Sequence, residues 1–352
     1  MSQTIPVRQG EELDLEVIKQ YLLTHIENIP VDNLEVQQFP AGKSNLTYVI
    51  RCGNWEGVLR RPPFGPLPPK AHDMEREYEV LNKLHSTFPL VPKPYSFCSN
   101  PDIIGAPFYI MERVKGITFD DEQIAANILS YQDRHHISQL MVGAMVDLHQ
   151  VDFKKAGLES LGYPTGFLER QLKNWIGRYH KYKTDEVDAV DKIIKWLNSH
   201  IPQQQEPSFI HNDFKINNVL ISEDLKRINA VLDWEMATIG DPLFDLGATL
   251  SYWIEENDSE LIKNTLPSPT ALPGFISRRE FLESYAKRTG RDVSSFQFYL
   301  TLAYFKIAVA VQQIYYRYAT GQTKDERFAN YHHNAKNLML YAEILTNKKS
   351  VE

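Results

Sequence analysis

Residues 209–247, FIHNDFKINNVLISEDLKRINAVLDWEMATIGDPLFDLG, constrain the chain more than any other stretch. An apolar lead-in, Phe209-Ile210, runs into His211, Asn212 and Asp213, and Asn218 follows five residues after Asp213. Two short β-type runs, 218–222 and 228–232, flank the polar stretch Glu223-Asp224-Leu225-Lys226-Arg227 and read as a β-hairpin. Folded about Leu225-Lys226, the hairpin sets Val219 opposite Leu232 and Asn218 roughly opposite Asp233. One carboxylate then precedes the hairpin, and an amide and a second carboxylate share its open end.

That layout suits phosphoryl transfer. A γ-phosphoryl group needs in-line positioning and charge neutralisation more than covalent chemistry. A carboxylate such as Asp213 can orient an acceptor hydroxyl and take its proton. An amide oxygen and a carboxylate, Asn218 and Asp233, are the hard oxygen ligands that Mg²⁺ prefers. The order His211-x-Asp213-x-x-x-x-Asn218, then an Asp ending an apolar strand, is that of a kinase catalytic loop and its metal aspartate. Any one of these residues alone reads equally as the polar end of a surface hairpin. The complete set at this spacing favours chemistry.

Composition narrows the field. The 352 residues are 43% hydrophobic and 24% charged, enough for a substantial core in two lobes. A net charge of −7 with no basic block argues against a nucleic-acid partner. Two cysteines, Cys52 and Cys98, make no disulfide framework. The first residues are polar and acidic, unlike a signal peptide, and no run approaches the ~18 apolar residues of a membrane span. The expectation is a soluble cytoplasmic protein without a membrane partner, a monomer or weak homodimer.

Ahead of the central segment, residues 12–26 carry apolar side chains at helical spacing, and 34–39, 46–52 and 55–61 read as strands. The loop Pro40-Ala41-Gly42-Lys43-Ser44-Asn45 can present backbone N–H groups to phosphates, or be an ordinary hairpin loop. The third strand ends in Arg60-Arg61 before Pro62-Pro63, which cannot donate to a ladder. Residues 73–84 form a helix whose apolar face, Met74, Tyr78, Leu81 and Leu84, also carries Glu77. A buried Glu77 would need a partner; otherwise it reaches solvent at the stripe's edge. Residues 107–111 read as a buried strand. Beyond 117 the pattern is helical, at 137–148, 166–179, 187–197, 281–286, 296–318 (one helix or two) and 328–345.

The central segment resembles the aminoglycoside and choline kinase-like phosphotransferases. Val231-Leu232-Asp233-Trp234-Glu235-Met236-Ala237-Thr238-Ile239-Gly240-Asp241-Pro242 is closer still to the phosphotransferase domains associated with acyl-CoA dehydrogenases. The likeness runs from about Gln38 to the last helix. It implies an α+β, bilobal protein-kinase-like fold: an antiparallel-sheet nucleotide-binding lobe over 1–111, a hinge over 112–116 and a helical lobe over 117–352. It implies ATP and Mg²⁺ as cofactors. Asp213 would be the catalytic base and Asn218 and Asp233 the metal ligands. Lys215 matches a lysine that some kinases aim at the γ-phosphate and many relatives lack. Gly42, Ser44 and Asn45 fall on the phosphate-covering loop. Arg60 stands where the family usually has Lys, with Glu77 as its partner. Glu112 and Val114 fall, by position alone, on the hinge that meets the adenine edge. Asp245 would brace the catalytic loop.

The function expected is transfer of phosphate from ATP to the hydroxyl of a small molecule. The dehydrogenase-associated kin suggest a hydroxyacyl compound or its CoA ester; the aminoglycoside and choline kinases suggest a polar cationic alcohol. A protein kinase is disfavoured because seven residues between Asp233 and Asp241 leave no activation segment. A pseudokinase stays open through Arg60. Arg170, Trp175, Arg178, Tyr315 and Arg317 are acceptor-side candidates, but such residues more often pack or solvate a helix, and none is assigned.

Overall fold

The computed structural model describes residues 4–30, 33–40, 45–64 and 72–348. Helix α1 (Leu15–His25) starts at Asp14, whose carboxylate accepts the N–H groups of Glu16 and Val17. The strands β1 (Leu34–Gln38), β2 (Leu46–Cys52) and β3 (Trp55–Arg61) follow, then helix α2 (Met74–Leu84) and strands β4 (Pro94–Cys98) and β5 (Phe108–Glu112). They form one antiparallel sheet in the order β1-β2-β3-β5-β4. The β2–β3 turn is the two residues Gly53-Asn54, with Gly53 at φ 57°, a left-handed position that glycine takes without steric cost. Strand β4 has no clear signal in the sequence because Pro89, Pro92 and Pro94 punctuate it. It lies at the sheet edge with proline as its first residue, where a missing donor does no harm.

The period-two alternation of β3 sorts its side chains between two cores. Leu59 joins Tyr48, Ile50, Phe108 and Ile110 against Ile18, Tyr21 and Leu22 of α1. Val58 joins Tyr109 and Met111 against Met74, Val80, Leu81 and Leu84 of α2. Arg60 follows Val58 onto the α2 face, and Arg61 follows Leu59 onto the other. This is why Arg60 can meet Glu77.

The rest of the chain is mainly helical, as expected. It holds α3 (Glu122–Ile128), α4 (Tyr131–His149), α5 (Phe167–Tyr182), α6 (Ala189–Ser199), α7 (Pro242–Ser251), α8 (Glu260–Thr265), α9 (Arg278–Thr289), α10 (Phe296–Ala319) and α11 (Tyr331–Thr346). Helix α10 is unbroken, resolving the choice between one helix and two. Two short antiparallel pairs sit among the helices: β6 (Ser208–Ile210) with β9 (Thr238–Gly240), and β7 (Val219–Ile221) with β8 (Ile228–Val231). Ile117 exchanges backbone hydrogen bonds with Ile221, tying the chain leaving the sheet to the hairpin. Gly116 permits this approach, since a Cβ there would stand 2.8 Å from the Ile221 carbonyl oxygen.

The hairpin register differs from the expected one. Val219 faces Val231, not Leu232, and the register shifts between Leu220 and Ile221. The Asn229 amide reaches out to the Lys115 carbonyl at 2.8 Å, a tertiary contact that hairpin symmetry could not supply. The consequence is small at the open end: the Leu232 N–H bonds the Asn218 carbonyl at 2.8 Å, so Asp233 is one step past the pairing.

Candidate active site

The loop between β6 and β7 is held at several points. Asp245, on the first turn of α7, is fully buried and accepts the backbone N–H groups of His211 and Asn212, each at 2.7 Å. Burial alone would raise its pKa. The His149 hydrogen bond, the electrostatic pull of His149 and His211 and the His211 N–H outweigh that and hold it below the ordinary aspartate value. His211, also fully buried, accepts the Asp213 N–H at Nδ1 (3.2 Å), so Nε2 carries the proton and donates to the Leu232 carbonyl (3.0 Å). This histidine therefore clips the loop to the strand that leads into Asp233. Asn212 and Asp233 both occupy the left-handed region, at φ 67° and 68°, uncommon for non-glycine residues and concentrated at functional sites.

These clamps aim the polar side chains. One Asp213 carboxylate oxygen pairs with Lys215 Nζ at 3.0 Å; the other accepts Asn218 Nδ2 at 2.8 Å. The Asn218 amide nitrogen also bonds the Asp213 carbonyl at 2.9 Å, which leaves the amide oxygen for another partner. Asp213, Asn218 and Asp233 are all half-buried. Among the described residues no three His, Cys, Asp or Glu side chains cluster as a metal cage. An amide oxygen and one carboxylate fit Mg²⁺, which keeps water and phosphate oxygens in the rest of its shell.

Arg60 crosses from the sheet to this site. Its guanidinium stands 2.6 Å from Asp233 Oδ1, 3.3 Å from Glu77 Oε2 and 3.6 Å from Glu235 Oε2. Burial pushes the Glu77 carboxyl up to about 7 against the pull of Arg60. Arg60 itself is desolvated but is kept charged by Glu77, Tyr109 and Asp233. Arg61, on the opposite face, donates to the Ile104 carbonyl at 2.7 Å and stacks on Phe64. Asn45 reaches the same acidic group, donating to Glu235 Oε2 at 3.1 Å. Gly42 and Ser44 lie outside the described residues. Glu112 ends β5 with its N–H on the Lys93 carbonyl (2.8 Å), and Val114 follows it half-buried.

A family model described as the phosphotransferase enzyme family (APH) matches residues 35–275. The chain belongs to that family. Human acyl-CoA dehydrogenase family member 11 is 32% identical over 332 residues, covering 93% of this chain and 42% of that protein. Mouse member 10 is 30% identical over 321 residues, 91% of this chain and 30% of that protein. The chain thus spans less than half of the length of these curated relatives. A Ralstonia eutropha structure described as a candidate aminoglycoside phosphotransferase matches with TM-score 0.81 at 28% identity, over 95% of this chain and 98% of that one. Choline kinase from Cryptosporidium parvum matches in fold with TM-score 0.61 at 16% identity, over 95% and 99%. The phosphotransferase family accounts for the fold: a protein-kinase-like arrangement of small antiparallel sheet and helical remainder. Among the described residues, no helix is long and apolar enough to cross a membrane.

In this member of the family, Asp213, Lys215 and Asn218 form one group, and Arg60, Glu77, Asp233, Glu235 and Asn45 another, joined where Leu232 bonds Asn218. Sequence reasoning passed over two of its residues. Glu235 lies two after Asp233 and could have been found as a second acid in Asp-x-Glu. Lys306 is the only charged residue over 296–316, within helix α10. A lone lysine in so apolar a run is a signal in itself. Its Nζ lies 3.5 Å from the Asn212 carbonyl and 5.1 Å from the Phe244 ring centroid. Of the acceptor-side candidates, Trp175 and Arg178 stand beside Lys306. Arg170 instead donates to the carbonyls of Tyr163 and Thr165, and Tyr315 packs on His332.

Proposed function

We propose that this chain is an ATP-dependent kinase of a small-molecule hydroxyl group. The observation that carries the reading is the pairing of two differently held carboxylates across one hairpin end. Asp213 is fixed by Lys215 and Asn218 in a loop braced by Asp245, and Asp233 is tied to Arg60, itself paired with the buried Glu77. In this reading Asp213 orients the acceptor hydroxyl and takes its proton. Asn218, through its amide oxygen, and Asp233 hold Mg²⁺, which when bound neutralises phosphate oxygens. Arg60 grips phosphate, its guanidinium oriented by Glu77. Lys215 stands beside Asp213 where it can offset charge developing on the transferred group. Asn45, with Gly42 and Ser44, would cover the phosphates, and the strand end at Glu112 to Val114 would meet the nucleotide base, making 112–116 the hinge between a nucleotide lobe and a helical lobe.

The acceptor class follows the relatives only as far as a hydroxyl compound. The likeness to the acyl-CoA dehydrogenase family proteins supports a hydroxyacyl acceptor or its CoA ester. The deciding experiment incubates the purified protein with Mg·ATP and a panel of hydroxy acids, hydroxyacyl-CoA esters, choline and aminoglycosides, and reads products by mass. Phosphorylation of at least one small alcohol, lost in Asp213→Asn, is the expected result. Phosphorylation of a protein substrate with no small alcohol modified would overturn the reading.

A further inference from the structure

Helix α10 places one amine beside the loop that carries Asp213, and among the described residues no carboxylate neutralises it by contact. Among the described residues Lys306 Nζ makes a single long hydrogen bond, 3.5 Å to the Asn212 carbonyl, and lies over two aromatic rings, Phe244 at 5.1 Å and Trp175 at 5.8 Å. The side chain keeps part of its surface open, yet is so surrounded by protein that desolvation lowers the amine below the ordinary lysine value. Tyr252, 5.0 Å from Lys215 Nζ, shows the same combination: partly open, with its hydroxyl pushed up by burial and by Asp213. Both side chains thus combine partial exposure with close surroundings beside the loop that carries Asp213.

The charges facing Lys306 are Asp213, Asp245, Arg178 and Lys215. Both carboxylates are already committed: Asp245 to the His211 and Asn212 N–H groups and His149, Asp213 to Lys215 and Asn218. Arg178 stacks on the other cation's aromatic partner, 4.3 Å from the Trp175 ring, and donates to Gln313 Oε1 at 2.7 Å. Among the described residues, neither Lys306 nor Arg178 has a carboxylate within salt-bridge distance. On the α10 side of Asp213 the site therefore carries two cations, Lys306 and Arg178, with no carboxylate in contact among the described residues, and Arg178 is held at an exposed position. An unpaired buried cation is costly unless a ligand supplies the counter-charge. A cationic alcohol would meet repulsion from this pair.

We propose that Lys306, with the exposed Arg178, forms the acceptor-binding pair of this site and selects a hydroxyl compound that bears an anionic group, a carboxylate or a phosphate. This rests on the kinase reading above. The test measures binding in the presence of Mg·AMP-PNP, so that it does not depend on turnover. The probes are a length series of short hydroxycarboxylic acids, their primary amides, glycerol phosphate and choline, titrated into wild type, Lys306→Met, Lys306→Arg and Arg178→Met. At least one anionic alcohol should bind, with its uncharged amide on the order of tenfold weaker or worse, as loss of a charge-assisted hydrogen bond implies. Lys306→Met should weaken that anion about tenfold or more, and Lys306→Arg should restore part of it. Whether the acid or the phosphate arm binds identifies the anion. Should Lys306→Met not fold, Arg178→Met, changed at an exposed side chain, carries the test with a smaller loss of the same sign. Equal binding of acid and amide, tightest binding of choline, no binding by any anionic probe, or unchanged anion affinity in Lys306→Met would each overturn the proposal. Binding of an anionic alcohol that Mg·ATP never phosphorylates would instead count against the kinase reading and leave the role of Lys306 standing.

Discussion

The two adjacent arginines of β3 illustrate how much one residue of register decides. Arg60 meets Glu77 and Asp233; Arg61 meets the Ile104 carbonyl and the Phe64 ring. Arg60→Ala should weaken Mg·ATP binding on the order of 10- to 100-fold, the worth of one or two hydrogen bonds between charged groups. Arg61→Ala should leave nucleotide affinity alone and cost about 1–3 kcal/mol of stability through unpaired carbonyl oxygens and lost packing. Nucleotide titration and denaturant melts of the two variants separate these outcomes; a larger nucleotide effect from Arg61→Ala would reassign the phosphate cation. The family resemblance picked Arg60 by position, and strict alternation on a strand, with Glu77 on the face of Met74, Leu81 and Leu84, is why that residue meets Glu77. Lys306 was not legible in the same way. Its charge stands out in α10, but only the packing of α10 on α5 and α7 brings it to the Asn212 carbonyl.

At the scale of elements, the loop that carries Asp213 owes its shape to α7. Asp241 caps the helix by accepting the Leu243 N–H at 2.9 Å, and Asp245 one turn on takes two loop N–H groups. Asp245→Asn replaces one acceptor with a donor facing an N–H, which should cost about 1–3 kcal/mol and loosen Asp213. The folded-state pKa of Asp245 is depressed, so its stabilising contribution is present above the unfolded value of about 4 and is lost as pH falls through the folded value. Thermal melts from pH 7 downward should therefore show the wild type losing its advantage over Asp245→Asn only in acid. A stability difference that grows on acidification would contradict this assignment. The bracing aspartate was foreseeable from Asp before Leu in a family motif. The details of the hairpin were not, because the register shift after Leu220 comes with an Asn229–Lys115 bond from a remote part of the chain. The β6–β9 pair was equally hidden: three residues on each side carry too little pattern to announce a strand.

For the whole molecule, the sheet and helices were largely readable from periodicity, and the candidate site from its spacing, because the segment 209–247 carries most of the proposed catalytic groups on contiguous sequence. What spacing could not give was the meeting of distant parts: Arg60 with Asp233, and Arg76 of α2 with the carbonyls of Glu235 and Ala237. These contacts couple the sheet to the segment after Asp233. Saturating Mg·ATP should accordingly stabilise the whole fold in a melt, by about 2.7 kcal/mol at a hundredfold excess over Kd. The central claim is that Asp213 does the proton chemistry and Asp233 holds the metal. It is tested most directly by measuring Mg·ATP affinity and single-turnover rate for Asp213→Asn and Asp233→Asn beside the wild type. Asp213→Asn should bind Mg·ATP nearly as the wild type does and turn over on the order of 10²–10⁴ times more slowly, while Asp233→Asn should lose both affinity and rate. Loss of Mg²⁺-dependent ATP binding in Asp213→Asn, with binding intact in Asp233→Asn, would contradict it.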